Sequence, residues 1–246
     1  MQRLEDLKVK VFADGANLAE MVELYKNPLI KGFTTNPTLM RQAGISHYQQ
    51  FAKDVLKAIP DRPISFEVFS DEFEEMERQA FQIGSWGKNV FVKIPVTNTR
   101  AEPSYELVQR LSKAGVQVNV TAVMTLQQVR EIAACLDGSP AAYISVFAGR
   151  IADTGRDPLS IMRSAVEILK DLPQVELIWA SPRELLNIFH AESVGCHVIT
   201  VTHDVLKKAN LVGKDLGEYS LDTVKMFYED ARKAGYSLPA AAAARA

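Results

Sequence analysis

The chain has 246 residues, 47% of them hydrophobic and 24% charged, with a net charge of -2. That length suits one large domain or two small ones, and the charge creates no global field toward nucleic acid or a membrane. Two cysteines, Cys135 and Cys196, are too few for a disulfide scaffold or a zinc site and fit a reducing compartment.

Apolar runs alternate with amphipathic stretches along the chain. The first strand is expected over Val9 to Ala13, followed by a helix over Leu18 to Tyr25. A strand over Gly32 to Thr35 precedes a helix over Ser46 to Ala58, with Phe51, Val55 and Leu56 on one face. Ile64 to Val68 and Asp71 to Ile83 form the third pair, Val90 to Ile94 and Ser104 to Ala114 the fourth. Val116 to Val120 with Leu126 to Cys135, and Ala142 to Phe147 with Leu159 to Leu169, follow. Val175 to Ala180 with Glu184 to Glu192, and His197 to Val201 with Asp204 to Ala209, complete eight units. A last helix is expected over about Asp222 to Ala234. Gly115 and Gly195 stand where helices end, as helix-terminating glycines do.

Strict alternation of strand and helix predicts a parallel sheet with right-handed crossovers. Eight units at this length predict a (β/α)8 TIM barrel with an additional C-terminal helix. A doubly wound open sheet is the alternative, but no glycine-rich loop follows the first strand. One domain is expected over 1–238, with the alanine-rich tail 239–246 disordered. The start of the chain, Met1-Gln2-Arg3-Leu4-Glu5-Asp6, has no signal-peptide core. No run approaches the roughly 20 apolar residues of a membrane span, so a cytoplasmic location is expected.

Each strand ends in or near a polar group: Asp14, Asn36, Glu67, Lys93, Asn119 with Thr121, Ser145, Ser181 and His203. In a barrel all eight carboxyl ends meet at one mouth, where barrel active sites lie. Lys93 is the most informative of these. It sits inside Asn89-Val90-Phe91-Val92-Lys93-Ile94-Pro95-Val96, a run that reads as a buried strand. A lysine there snorkels outward, pairs with an acid, or serves as a neutral nucleophile. An ordinary lysine, with a pKa of about 10.4, is neutral only about once in 2,500 at pH 7, and apolar surroundings raise that fraction.

Carboxylates supply the proton transfers that imine formation requires, and Asp14 and Glu67 are the strand-end acids. Asn36 and Asn119 offer donors and an acceptor to substrate hydroxyls. Arg150 and Arg183, each just past a strand, form an anion site with the Ser181 hydroxyl that suits a phosphate. No metal site is expected: His47, His190, His197 and His203 include no pair at helical i, i+4 spacing. Trp86, Trp179, Met124 and Met226 read as core.

Six motifs carry a family resemblance. They are Asp14-Gly15-Ala16-Asn17, Gly32-Phe33-Thr34-Thr35-Asn36-Pro37, Val92-Lys93-Ile94-Pro95, Asn119-Val120-Thr121, Ser145-Val146-Phe147-Ala148-Gly149-Arg150 and Ala180-Ser181-Pro182-Arg183. Their order resembles the transaldolase family, including short transaldolases and fructose-6-phosphate aldolases. The resemblance implies a class I barrel enzyme without metal or cofactor, acting on sugar phosphates. Lys93 then matches the Schiff-base lysine, and Asp14 the acid/base at the C4 hydroxyl. Glu67 and Thr121 match the pair holding the catalytic water. Thr34, Asn36 and Asn119 match substrate-binding residues, and Ser145 a residue beside the dihydroxyacetone unit. Arg150, Ser181 and Arg183 match the phosphate set.

Two positions separate the branches. Glu67 and Phe147 resemble transaldolases, where the aldolase branch carries Gln and Tyr. A tyrosine would help protonate the carbanionic intermediate and release dihydroxyacetone; phenylalanine cannot. The resemblance therefore implies transfer, in the pentose phosphate pathway, with aldolytic cleavage as the alternative. Gly15, Glu184 and His203 depart from the family pattern. The last helix carries Leu221, Val224, Phe227 and Tyr228. Short relatives pack with this region, which implies a homo-oligomer, a pentamer or decamer.

Overall fold

The computed structural model describes residues 3–136, 138 and 140–238. The tail expected to be disordered lies outside them. The chain divides into two compact units, one ending at Ala209 and one running from Asn210.

In the first unit eight strands close into a barrel in chain order. They are β1 (Lys10–Asp14), β2 (Ile30–Thr34), β3 (Ile64–Glu67), β4 (Val90–Pro95), β5 (Val118–Val123), β6 (Ala142–Val146), β7 (Val175–Trp179) and β8 (Val198–Thr202). Neighbours are parallel throughout, and β1 pairs with both β2 and β8 to complete the ring. The expected TIM barrel is therefore present. The strands are apolar on both faces because both are covered, by helices outside and by packed side chains inside.

The outer helices bury one stripe each. In α3 (Tyr48–Ala58), Phe51, Ala52 and Val55 face the core, as the 3.6-residue period predicts. The other long ones are α1 (Leu18–Tyr25), α4 (Phe73–Gly84), α5 (Tyr105–Lys113), α6 (Leu126–Cys135), α8 (Leu159–Leu169) and α9 (Leu186–Ser193). Three short helices sit at the mouth: α2 (Pro37–Gln42), α7 (Ala148–Asp153) and α10 (His203–Leu206). The first two have no counterpart among the expected elements, because six residues are too few to establish a period. The eighth helix proves to be one turn of α10 continued by a 3-10 segment over Lys207–Leu211.

Inside the barrel a small apolar cluster forms a plug: Phe12, Phe91, Tyr143, Ile178, Ala180 and Val198. The Phe91 and Tyr143 rings lie 4.3 Å apart, and Phe12 meets Tyr143 edge-on at 5.7 Å. Gly32, opposite Phe12 on β2, makes room for that ring. A Cβ at Gly32 would lie 2.6 Å from the tip of Phe12.

The second unit carries the expected C-terminal helix, α11 (Leu216–Ala234). It starts six residues before the expected Asp222, because Asp215 caps it by accepting from the Glu218 N–H. Leu221, Val224, Phe227 and Tyr228 are each more than half exposed. Met226 is exposed too, as is Met124 just after β5, so neither is a core residue. Trp179 is fully buried, and Trp86 packs against the core from its edge.

Candidate active site at the barrel mouth

Side chains alternate along a strand. Asp14 on β1 and Lys93 on β4 therefore point inward like Phe12 and Phe91, one layer nearer the carboxyl ends. The strand register sets Glu67 beside Lys93, Lys93 beside Asn119, and Asp14 between Thr34 and Thr202. A polar layer thus sits directly above the aromatic plug. It forms the floor of a pocket of about 720 Å3. That pocket is lined by Asp14, Thr34, Asn36, Glu67, Lys93, Thr121, Ser145, Phe147, Arg150, Ser181 and Arg183. These are the residues expected from the sequence, Asn119 and His203 excepted.

Lys93 is buried, with 6% of its surface exposed. Its Nζ lies 3.0 Å from Glu67 Oε2 and donates to the Thr35 carbonyl at 2.9 Å. Of the three roles open to this lysine, snorkelling is excluded. It pairs with an acid and keeps its amine at the pocket. Glu67 is steadied through its backbone, whose carbonyl accepts from the Tyr48 hydroxyl at 2.7 Å. Burial pushes the Asp14 carboxyl above the usual carboxylate range, although Lys93 and a hydrogen bond from Thr34 pull the other way. The Thr34 hydroxyl donates to Asp14 Oδ1 at 2.7 Å.

Thr121 Oγ1 is buried without a hydrogen-bond partner among the described residues. An unsatisfied buried hydroxyl costs about 1–3 kcal/mol, and Thr121 carries that cost in the pocket wall. The next residue, Ala122, has φ +63°, where β5 loses regular register with β6. Ser181 also holds a left-handed backbone, at φ +59°. Such strain clusters where the chain is shaped for a ligand.

Asn119, beside Lys93 in the strand register, is fully buried and does not line the pocket. It donates to Ser65 Oγ at 3.0 Å and accepts from Ser145 Oγ at 2.7 Å, tying β3 to β6 through β5. Asn36 lines the pocket and caps α2, its Oδ1 taken by the Leu39 N–H. The two arginines differ. Arg183 is held by the Asp153 carboxylate through both Nε and Nη2. The Arg150 guanidinium lies 5.8 Å from the Phe147 ring centre, and it makes no ion pair among the described residues.

The α7 turn that carries Arg150 approaches the Ser181 backbone closely. A Cβ at Gly149 would lie 1.6 Å from the Ser181 carbonyl oxygen. Gly149→Ala is therefore expected to destabilise the protein by about 3 kcal/mol. In a chain of this size that lowers the melting temperature by about 6–12 °C, measurable by circular dichroism.

Sequence reasoning missed Thr38, Gln42, Thr200, Thr202 and Asp204, which complete the wall. A signal existed for Thr200 and Thr202: alternate polar residues in Val198-Ile199-Thr200-Val201-Thr202 mark an inward polar face. The Thr202 hydroxyl holds the Asp204 carboxyl below its usual range. His203 turns instead to Glu20, with Nδ1 3.2 Å from the carboxylate. Among the described residues no group of three or more His, Cys, Asp or Glu is placed to hold a metal. No helix there is long and apolar enough to cross a membrane.

Barrel and mouth together define a (β/α)8 enzyme scaffold with an amine at its centre. A family model described as Transaldolase/Fructose-6-phosphate aldolase matches residues 11–244, and the chain belongs to that enzyme family. A "Probable transaldolase" of a Thermoanaerobacter species is 35% identical over 231 residues, covering 94% of this chain and all of that one. Another, from Dehalococcoides mccartyi, is 35% identical over 199 residues, covering 80% and 88%. Solved structures similar in fold include dihydrodipicolinate synthase from Rhodopseudomonas palustris, with TM-score 0.53 at 15% identity. It covers 90% of this chain and 80% of that one. A 3-keto-L-gulonate-6-phosphate decarboxylase from Vibrio cholerae has TM-score 0.53 at 13% identity, with 80% and 88% covered. At these identities the likeness concerns the barrel alone.

Proposed function

We propose that the chain is a transaldolase: it moves a dihydroxyacetone unit from a ketose phosphate to an aldose phosphate through a Schiff base on Lys93. Fructose 6-phosphate and sedoheptulose 7-phosphate are the candidate donors. The reading is carried by one observation, the buried Lys93 amine 3.0 Å from the Glu67 carboxylate at the pocket floor. The names given to its relatives support it.

In this reading Glu67 takes a proton from the Lys93 ammonium, freeing the amine to attack the ketose C2 carbonyl. As the carbon–nitrogen bond forms, a proton passes from the attacking nitrogen to the C2 oxygen; the protonated Glu67 then returns its proton to that hydroxyl, water leaves, and the protonated imine forms. Water held by Glu67 and the unpartnered Thr121 hydroxyl serves this step and its reversal. Asp14 removes the C4 hydroxyl proton, the C3–C4 bond breaks, and its electron pair moves into the imine as an enamine. The aldose leaves, an acceptor aldose enters, and the enamine carbon attacks its aldehyde, which regains a proton from Asp14. Arg150, Ser181 and Arg183 hold the phosphate, Asn36 and Thr34 meet hydroxyls, and Asn119 acts through Ser145. No metal or cofactor takes part.

Borohydride reduction in the presence of fructose 6-phosphate, followed by peptide mass mapping, tests the reading. A stable adduct on Lys93 is expected; an adduct elsewhere, or none, sinks it. Phe147 decides what becomes of the enamine. Phe147→Tyr introduces a hydroxyl able to deliver a proton, and free dihydroxyacetone released without an acceptor is expected to rise about 10-fold. An unchanged ratio of release to transfer removes Phe147 from that role.

We read 1–238 as one functional domain working in the cytoplasm on the pentose phosphate pathway. The exposed apolar face of α11 is its self-association surface, in a pentamer or decamer; light scattering that finds a monomer refutes this.

A further inference from the structure

Thr200 belongs to no motif that marks the family resemblance, yet it lies in the pocket wall and is 5% exposed. Its Oγ1 is 2.5 Å from Thr34 Oγ1, and the Thr34 hydroxyl also reaches Asp14 Oδ1 at 2.7 Å. Thr34 has one hydroxyl hydrogen. When that hydrogen goes to the Asp14 carboxylate, only Thr200 can donate in the contact between the two hydroxyls. The three groups then form a directed chain, from Thr200 through Thr34 to Asp14, crossing from β8 to β2 to β1. When Asp14 carries a proton on Oδ1, the chain reverses: Asp14 donates to Thr34, and Thr34 to Thr200. Each protonation state of the carboxyl thus finds a complementary partner without backbone movement.

We infer that Thr200 is a positioning residue for Asp14: through the Thr34 hydroxyl it holds the carboxyl in one orientation in both protonation states. This deepens the transaldolase reading, on which its bearing on turnover rests. Hydrogen bonds in series strengthen one another in a desolvated site, so loss of the terminal donor weakens the Thr34–Asp14 bond without breaking it. The charged groups acting on Asp14 are Lys93 on β4, which favours the ion, and Glu67 on β3, which opposes it. Asp204, past the end of β8, lines the same pocket. All of them remain in the variants below.

The test is Thr200→Val, which keeps the shape and removes the hydroxyl, beside Thr200→Ser, which keeps the hydroxyl. The primary readout is the Asp14 carboxyl titration in carbon-13-labelled protein, assigned with Asp14→Asn. Thr200→Val is expected to move the midpoint up by about 0.5 pH unit, and Thr200→Ser to leave it near the parent value. In turnover of fructose 6-phosphate with an aldose phosphate acceptor, kcat should fall about 10-fold in Thr200→Val with KM within about twofold. The acid limb of the kcat/KM profile should move upward with the midpoint, and Lys93 should still be trapped by borohydride. An unmoved midpoint in Thr200→Val overturns the inference, as does an equal change in both variants, which would indicate packing. Absence of the Lys93 adduct in the parent protein overturns the transaldolase reading instead, and the carboxyl titration then decides the hydroxyl chain by itself.

Discussion

Lys93→Met is expected to lower turnover by at least about 10^4-fold and to abolish the borohydride-trapped adduct. Methionine matches the lysine stem in length, so the strand keeps its packing while the nucleophile is lost. The variant also leaves the Glu67 carboxylate without its partner. Removing one member of a buried pair strands the other charge, a cost of about 3–5 kcal/mol where both are fully enclosed. Glu67 borders the pocket and retains access to water there, so about 1–2 kcal/mol is expected here. Chemical denaturation of Lys93→Met and of the double variant Lys93→Met/Glu67→Gln checks this. The second change should restore stability without restoring turnover, because a neutral amide has no stranded charge. Activity surviving in Lys93→Met would rule out covalent catalysis at this lysine.

Asp14→Asn carries the second large effect, and its two consequences have opposite signs. Turnover should fall about 10^2- to 10^4-fold, since the amide cannot take the C4 hydroxyl proton. Stability at neutral pH should rise. Burial holds the Asp14 carboxyl above its ordinary value of 3.8, so the folded state binds that proton more tightly than the unfolded chain does. The resulting stabilisation is complete below the unfolded value and is lost as pH rises through the folded midpoint. Asparagine has no ionisation to lose. At pH 7 the variant should therefore be more stable than the parent, and the gain should disappear near pH 3.5. Urea melts at the two pH values measure the difference. A variant less stable than its parent at pH 7 would mean that the pull of Lys93 outweighs burial.

The barrel was legible because eight apolar runs recur at one spacing, and the polar residue closing each run had to share a mouth with the others. Lys93 stood out for the same reason, a charge inside an uninterrupted apolar strand. What escaped was local. α2 and α7 are six residues each, and capping by Asn36 together with the close approach at Gly149 defines them better than any periodicity. Thr200 escaped because a threonine in a strand reads as ordinary β-branched filling; only its hydroxyl contact with Thr34 distinguishes it. Asn119 was expected to meet substrate, and its type is right for that. The structure instead engages its amide with Ser65 and Ser145, which no spacing in the sequence encodes. Asp153 was silent for a similar reason. Its hold on Arg183 joins residues 30 positions apart, the end of α7 and the segment that follows β7.

The aromatic plug beneath the polar layer has a consequence for how this chain can change over generations. Phe12, Phe91 and Tyr143 fill the barrel axis without sharing a hydrogen bond with the groups above them. Foundation and workbench are thus stacked along one axis, joined by packing at Phe147 and Ala180 and not by hydrogen bonds. Variation among Thr38, Gln42, Thr202 and Asp204 can retune which sugar is accepted while the plug keeps the barrel closed. Drift at Gly32 or Phe12 would break the support for every specificity at once. A lineage built this way is free to explore new substrates by trial at the rim, provided that its inner rings stay fixed.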